Sequence, residues 1–317
     1  MLKNEPMNYL SRILAVTLIL TLTITSCKKD DEDVVVAPPK TTVFEFGAND
    51  ETARYEYDNT MDDLFSWLNH SSIETGKGAQ PDSGVILPCG VVRIDSTGGV
   101  FKFVYDTTCG IRVLSGSISV RLSSGTTWSQ QGAELEFTFT NYEIYYKKNG
   151  QTLTFNGPMY VTNTTGGKIA NLIFPPIQSS VVHSVKGTIN ITFDQLDTRK
   201  WRIRKKRLFE KDINGKLKLT LDQDSSVAEV GSTRNGDPFT ASITTPVEYI
   251  NCGSTFEGPY IATIGTLVYA TNNTSMTAEA GYVYSNNTAT FAGDCTSEGY
   301  KLTYTILGRQ VQSFQYY

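Results

Sequence analysis

Short runs of alternating apolar and polar residues, separated by turn residues, recur from about residue 85 to the end of the chain. Alternation with a period of two gives a strand one apolar face, and frequent turn signals favour antiparallel neighbours. The abundance of Thr, Ser, Gly, Asn, Tyr and Phe agrees with this pattern. We predict an all-β fold of antiparallel sheets, arranged as a sandwich or as a curved meander.

The clearest hairpin signal is the stretch NYEIYYKKNGQTLTFNG, which carries Asn149-Gly150 between two such runs. Asn-Gly is a preferred centre for a two-residue primed turn. Such a turn predicts apolar cross-strand pairs, Tyr146 with Leu153 and Ile144 with Phe155. Apolar residues occupy odd positions before Thr140-Asn141 and even positions after it, which predicts a bulge there.

The second Asn-Gly, at 214–215, predicts a different turn. A two-residue turn would place Leu219 against Glu210, whereas a three-residue loop of residues 213–215 places Phe209 opposite Leu219. Keeping the apolar faces together favours the longer loop, with Gly215 in the left-handed bulge position.

One short helix is predicted over residues 50–72, within an N-terminal helical segment of residues 43–84. An apolar stripe with helical spacing runs through it, formed by Met61, Leu64, Phe65 and Leu68. We expect this stripe to pack over an exposed end of the sheet.

Four cysteines, besides Cys27, predict disulfides in an exported chain. Cys89 and Cys109 bracket two alternating runs around Gly98-Gly99, so a hairpin would bring them side by side. The pair Cys252–Cys295 then follows by elimination. A four-cysteine zinc site is the alternative, which the absence of a CxxC pair disfavours.

A weak internal repeat suggests two related β units. GSISVRLSSGTTW (116–128) resembles GTINITFDQLDTRKW (187–201), and each runs to a tryptophan. We place the first β unit at residues 85–180 and the second at residues 181–317, with a boundary near Pro175-Pro176. A single continuous sheet is the alternative.

The N-terminal residues have the pattern of a signal peptide. Lys3 and Arg12 precede an almost wholly apolar run that ends in Ile24-Thr25-Ser26-Cys27, and this ending resembles the bacterial lipobox. The resemblance implies that residues 1–26 are removed and that Cys27 carries a lipid anchor to the membrane. A plain signal anchor with an incidental cysteine is the alternative.

The charge run that follows Cys27, KKDDED, cannot enter a membrane. It resembles the surface-export signal of Bacteroidota lipoproteins, which implies a lipid-anchored protein on the outer face of the outer membrane. A simple acidic, solvated tether is compatible with the same residues. We assign residues 27–42 as the tether, in which Pro38-Pro39 belongs to a stiff spacer.

Charge and composition argue against several functions. The formal net charge is −4, which disfavours nucleic acid as a partner. The chain has two histidines, His70 and His183, and neither a GxSxG nor an HExxH motif, so we expect no cofactor and no metal. A glycoside hydrolase needs only a pair of carboxylates, and no motif selects such a pair.

Two groups of residues are candidate ligand-binding sites. The strand-like stretch RKWRIRKKRLF (199–209) places Trp201, Ile203, Lys205, Arg207 and Phe209 on one face. The other face carries the basic row, defined as Lys200, Arg202, Arg204 and Lys206. Arg202, Arg204 and Lys206 could bind phosphates or acidic glycans. The alternative is a solvated outer face that also discourages edge-to-edge pairing.

Tyr145 is the second candidate, because it is expected to point away from the core face of its strand, where a sugar could stack on the ring. An exposed tyrosine on a strand is, however, also an ordinary surface residue.

The stretches PCG, YDTTCG, SGSISV, FTNYEIYYKKNG and RKWRIRKKR together resemble a family of uncharacterised Bacteroidota surface lipoproteins. The resemblance covers most of residues 85–310 and departs between Cys252 and Cys295. It implies the β fold and the location, and no mechanism. We therefore expect a non-catalytic binding role, with a cell-surface glycan or an envelope protein as partner. Glycan capture leads, structural or assembly work in the envelope is the alternative, and a glycoside hydrolase ranks third.

Overall fold

The computed structural model describes residues 43–70, 87–194, 196–234, 236–253, 260–272, 274–306 and 309–316. All of them belong to one compact unit, Pro39–Tyr317. The predicted signal peptide (1–26), Cys27 and the tether (27–42) lie outside the described residues. So do residues 71–86 of the predicted helical segment.

The fold is all-β, as predicted, and the described residues contain one α-helix and a short 3-10 helix, Ile169–Leu172. The helix α1 spans Val43–His70, and the strands that follow are β1 (Val91–Thr97), β2 (Val100–Cys109), β3 (Arg112–Ser124), β4 (Glu134–Tyr146), β5 (Thr152–Asn163), β6 (Ser180–Phe193), β7 (Asp197–Lys211), β8 (Leu217–Gln223), β9 (Glu229–Ser232), β10 (Pro238–Asn251), β11 (Tyr260–Thr271), β12 (Ser275–Ser285), β13 (Thr288–Phe291), β14 (Gly299–Ile306) and β15 (Arg309–Tyr316).

These strands form one antiparallel sheet in the order β1-β2-β3-β4-β5-β6-β7-β8-β10-β11-β12-β14-β15, with β9 and β13 paired at its side. Strand β5 pairs directly with β6, so the sheet runs through the boundary near Pro175-Pro176 without a break. This pairing matches the single continuous sheet that the sequence left as an alternative. Both tryptophans of the repeat pack against α1, Trp128 from the β3–β4 connection and Trp201 from β7.

The sheet curves around α1. Aromatic contacts join the helix to β2, β4, β6 and β7, and a cation–π contact joins it to Tyr269 of β11. The apolar stripe is buried as predicted, but it packs across the concave face of the sheet rather than over one end. The helix also begins earlier than predicted, at Val43 rather than at residue 50.

Gly98-Gly99 and Asn214-Gly215 make the predicted hairpins. Thr97 pairs with Val100, and both intervening glycines have positive φ, as a primed turn requires. At the second site Phe209 pairs with Leu219, and Gly215 has a φ of 77°. Sequence reasoning therefore predicted the first hairpin and placed the register of the second correctly.

The register predicted at Asn149-Gly150 is wrong by two residues. Ile144 pairs with Leu153, and Tyr142 pairs with Phe155. Gly150 has a φ of 73°, but Asn149 does not have a positive φ, so the two-residue primed turn does not form. The Gly150 amide instead donates to the Tyr146 carbonyl at 2.9 Å and closes a four-residue loop.

The predicted bulge at Thr140-Asn141 is confirmed. The register of β4 shifts between Phe139 and Tyr142, and Asn141 adopts a φ of 46°. Across the strand pair, the backbone at Gly116 approaches so closely that a Cβ would lie 1.9 Å from the Asn141 carbonyl oxygen. The bulge lets the odd residues before it and the even residues after it all face the core.

Both predicted disulfides are present, Cys89–Cys109 and Cys252–Cys295, each with a Cα–Cα distance of 5.6 Å. In the described part of the chain, no helix has the length and apolar character needed to cross a membrane. The described residues also contain no cluster of His, Cys, Asp and Glu side chains that could hold a metal ion.

The bulge predicts a difference between two glycine variants. Gly116 and Gly132 both have positive φ, but a Cβ at Gly132 meets no atom within 4 Å. We expect Gly132→Ala to lower the free energy of unfolding by about 1–2 kcal/mol, the cost of a left-handed non-glycine residue. Gly116→Ala should cost about a further 1–3 kcal/mol, because the Cβ also collides with backbone. Urea unfolding of both variants tests this, and equal losses would show that the close approach is not rigid.

Candidate functional site

A cavity of about 450 Å³ lies where the N-terminal half of α1 meets the ends of several strands. Its walls come from α1, the β2–β3 turn, the first residue of β3, the last residue of β4 and the end of β15. Three tyrosines line it, Tyr55, Tyr146 and Tyr316. Two of these side chains are well exposed, Tyr55 at 52% and Tyr316 at 55%. The cavity therefore joins an aromatic rim to the protein interior.

A hydrogen-bonded triad of Glu56, Arg112 and Tyr146 forms the polar floor of this cavity. Arg112 Nη1 donates to Glu56 Oε2 at 2.6 Å, and the Tyr146 hydroxyl donates to Glu56 Oε1 at 2.6 Å. The Glu56 side chain is almost fully buried, at 2% exposure. Each carboxylate oxygen thus has one protein donor and keeps a lone pair for a further donor.

The local fold explains why these three residues meet. Arg112 opens β3 and Tyr146 closes β4, and the two are directly opposite each other in the β3–β4 ladder. Glu56 lies one residue before the core residue Tyr57 on α1, on the side of the helix that faces this end of the sheet. Cross-strand neighbours are near enough for both side chains to reach one carboxylate.

The disulfide Cys89–Cys109 holds the cavity wall in place. Cys109 is opposite Arg112 in the β2–β3 ladder, and the turn between them consists of Gly110 and Ile111. The Ile111 carbonyl accepts a hydrogen bond from the Lys147 amide at 3.1 Å, which ties this turn to the end of β4. Cross-links on both sides of the turn make the wall a fixed surface.

The electrostatics of the triad keep Tyr146 and Arg112 protonated. Burial, together with the hydrogen bond to Glu56, raises the pKa of the Tyr146 phenol above its ordinary value. Burial alone would lower the pKa of the Arg112 guanidinium, but the charge of Glu56 outweighs it and raises that pKa. Both groups therefore stay protonated donors near neutral pH. General acid–base chemistry needs a pKa near the working pH, which neither of these two donors has.

A second set of charges lies between α1 and the sheet, buried except for Asp62, whose side chain is 50% exposed. This interior charge cluster consists of Arg54, Asp62, Lys205, Arg207 and Glu229. Lys205 Nζ lies 2.5 Å from Glu229 Oε1, and the Trp201 indole donates to Glu229 Oε2 at 2.7 Å. Arg207 pairs with Asp62 of α1, and Arg54 Nε lies 3.7 Å from Glu229. Perturbed charges often mark functional sites, but the close internal pairing of this cluster points to fixing the helix against β7 and β9.

The predicted two faces of β7 are confirmed. Its burial alternates without interruption from Arg199 to Arg207, with Lys205 and Arg207 inside and the basic row outside. Arg202, Arg204 and Lys206 do not meet at the cavity. Strand β7 has neighbours on both sides, β6 and then β8 with β9, so edge protection does not explain its charges. Anion binding by the row stays a prediction.

Tyr145 lies on the outer face of β4, 39% exposed and opposite Thr152. Because successive strand residues point to opposite faces, it points away from the cavity that Tyr146 lines. The sequence therefore identified the outward tyrosine as the candidate and missed its inward neighbour. Tyr55, Glu56, Arg112 and Tyr316 were also missed, since no local motif links them.

His183 lies in the aromatic core. Its ring is buried and packs against Phe65 at 5.6 Å, Trp128 at 5.1 Å and Phe209 at 5.3 Å. Burial and the nearby charge of Arg207 lower the pKa of His183 to about 3, so the imidazole is neutral. The neutral imidazole packs in the core as the neighbouring aromatic rings do.

The interior charge cluster predicts a strongly pH-dependent stability. Burial alone would raise the pKa of Glu229, but the charges of Lys205 and Arg54 outweigh it and lower that pKa to about 2. Its contribution to stability is therefore complete above the unfolded-state pKa of about 4.3 and is lost as the pH falls towards 2. We expect Glu229→Gln to cost about 3–5 kcal/mol at pH 7, because it leaves buried cations without their partner.

Urea unfolding from pH 7 to pH 2 measures this effect, and the difference between wild type and Glu229→Gln should shrink below about pH 4. Glu279→Gln is the matched control, since Glu279 pairs with Lys301 at 2.6 Å but is 35% exposed. Its cost should stay below about 1 kcal/mol. A similar small cost for Glu229→Gln would mean that the cluster does not hold the helix.

Comparison with known proteins gives no relative for this chain: no family model, no curated protein and no solved structure matches it. The function has to be argued from the geometry of the cavity and from the sequence.

Proposed function

We propose that this protein is a lipid-anchored lipoprotein of the outer-membrane surface that captures a carbohydrate in the cavity beside α1, without catalysing a reaction. The observation that carries the proposal is the combination of exposed tyrosine rings at the cavity rim with the triad around the buried Glu56 at its floor. The location rests on Cys27 and the charge run that follows it in the sequence.

The chemistry of a sugar fits such a cavity. A pyranose presents an apolar face of C–H groups and a rim of hydroxyls, so it suits an aromatic ring next to fixed hydrogen-bonding groups. Tyr55 and Tyr316 supply the rings. The free lone pairs of Glu56 can accept from sugar hydroxyls, and Arg112 has guanidinium N–H groups beyond the one that binds Glu56.

A hydrolytic function is less well supported by this geometry. Glycoside hydrolases use two carboxyl groups about 5–9 Å apart. Among the described residues that line the cavity, Glu56 is the one carboxylate, and both of its oxygens accept hydrogen bonds from protein donors. Such a group can orient a ligand through its remaining lone pairs, and no second carboxylate lines the described part of the cavity to complete a catalytic pair.

Binding should depend on the ring of Tyr55. We expect the full-length protein, in a detergent without a sugar headgroup, to be retarded in native gels that contain a neutral polysaccharide. Tyr55→Ala should weaken binding roughly tenfold, equivalent to about 1.4 kcal/mol, because the stacking surface is lost. Tyr55→Phe should bind nearly as well as wild type, since it keeps the ring.

Two sets of control variants separate this proposal from the others. Tyr145→Ala removes a similarly exposed tyrosine from the outer face and should leave retardation unchanged. Reversing the charges of Arg202 and Arg204 to Glu should also leave it unchanged. If acidic polysaccharides alone retard the protein and the reversal abolishes the effect, the basic row is the site and the cavity is not. If no gel retards it, an assembly role becomes the better proposal, and cross-linking would identify partners.

A further inference from the structure

Three aromatic rings continue from the rim of the cavity along the outer face of the last strands. Tyr316, which lines the cavity, lies 4.8 Å from Phe314 in an edge-to-face contact, measured between ring centroids. Phe314 in turn stacks on Tyr284, with a centroid distance of 5.1 Å and an interplanar angle of 17°. We call Tyr316, Phe314 and Tyr284 the aromatic track.

The strand register places these rings on one surface. In the β14–β15 ladder Phe314 is opposite Lys301 and Tyr316 is opposite Gly299. Gly299 has no side chain, and a Cβ there would lie 2.7 Å from Phe314 Cζ. The Phe314 ring therefore occupies the space above Gly299. This position holds the ring between its two aromatic neighbours.

The core does not need these rings. Buried residues of β14, such as Tyr300 and Leu302, point to the opposite face of the sheet, whereas Tyr284 is 37% exposed and Tyr316 is 55% exposed. Scattered exposed aromatic residues are ordinary, but a contiguous row is a feature of binding surfaces. The stacking also fixes the rings, which lowers the entropy cost of binding a ligand to them.

A polar border runs beside the track. Lys301 Nζ lies 2.6 Å from Glu279 Oε2 and donates to the Tyr282 hydroxyl at 2.9 Å. The same ammonium group lies 4.7 Å from the centroid of the Tyr282 ring. Rings flanked by oriented donors and acceptors suit a ligand that has both C–H faces and hydroxyls. A wholly apolar partner surface would leave these polar groups without water.

We infer that the aromatic track is an extended carbohydrate subsite, continuous with the cavity, so that the ligand is an oligosaccharide chain rather than a single sugar. This inference rests on the proposed function and adds the size of the ligand to it. Tyr316 is the link: it shares the outer face with Phe314 but is the last residue of β15, at the rim, where it also lines the cavity. When one sugar unit of the chain occupies the cavity, the units next to it would lie along Phe314 and Tyr284.

The test is calorimetry of the full-length protein with disaccharides and hexasaccharides prepared from starch, cellulose, xylan and mannan. For the polysaccharide that binds, the hexasaccharide should bind about tenfold or more tightly than the disaccharide. Phe314→Ala and Tyr284→Ala, tested separately, should reduce the hexasaccharide affinity to that of the disaccharide and leave the disaccharide unaffected. Tyr55→Ala should weaken both ligands.

Phe174→Ala is the matched control, because Phe174 is an exposed phenylalanine in the β5–β6 connection, and it should change neither affinity. Because Phe314 is partly buried, Phe314→Ala could disturb folding, and Tyr284→Ala provides a second, more exposed variant of the track. Equal affinity of wild type for the two lengths would overturn the track while leaving cavity binding intact. Loss of affinity for both lengths in the track variants would also overturn it. Absence of binding to every oligosaccharide would overturn the proposed function together with the track.

Discussion

The inward face of β7 sets the main constraint on this fold, because it carries Lys205 and Arg207 into the core. Buried cations are strongly destabilising unless carboxylates neutralise them. Glu229 of β9 and Asp62 of α1 supply those carboxylates, and Arg54 reaches the same Glu229 from the helix. Because each pair joins two particular side chains, together they constrain both the rotation of α1 about its axis and its position along the sheet.

Fixing α1 in this way also fixes the candidate site. Glu56 lies two residues after Arg54, so the same register that brings Arg54 to Glu229 brings Glu56 to Arg112 and Tyr146. On the far wall, the Cys89–Cys109 disulfide and the β3–β4 ladder hold Arg112 in position. The triad is thus assembled from a helix and a sheet that are each restrained before any ligand arrives. Such preorganisation reduces the entropy lost on binding.

The sequence predicted those features that depend on neighbours along the chain. Alternation identified the strands, and the odd-to-even change at Thr140-Asn141 located a bulge that the structure confirms. The register predicted at Asn149-Gly150 was wrong because two registers, which differ by two residues, both pair apolar side chains with apolar side chains. The backbone conformation of Asn149, which the sequence pattern does not show, distinguishes the two. The two-faced pattern of β7 was correct, but the partners of Lys205 and Arg207 could not be found, since they lie on α1 and β9.

The candidate site could not be predicted from the sequence for the same reason. Glu56, Arg112 and Tyr146 come from three elements, and each has an ordinary local context. One signal was present: Tyr146 falls on the inward alternation of β4, where a phenol needs a hydrogen-bond partner. That observation predicts a polar group near the end of β4 without saying which one.

The position of the cavity follows from which side chains fill the interior. The curved sheet encloses a space beside its concave face. Buried aromatic and aliphatic side chains of α1, between Ala53 and Leu68, occupy that space. Thr52 and Tyr55, in contrast, are exposed where the helix reaches the end of the sheet. A ligand can therefore meet the protein at this rim, where helix, strand ends and the last strand β15 converge. A rim is open on one side, so a bound chain can extend beyond it. The aromatic rings that lead away from Tyr316 lie along one such direction.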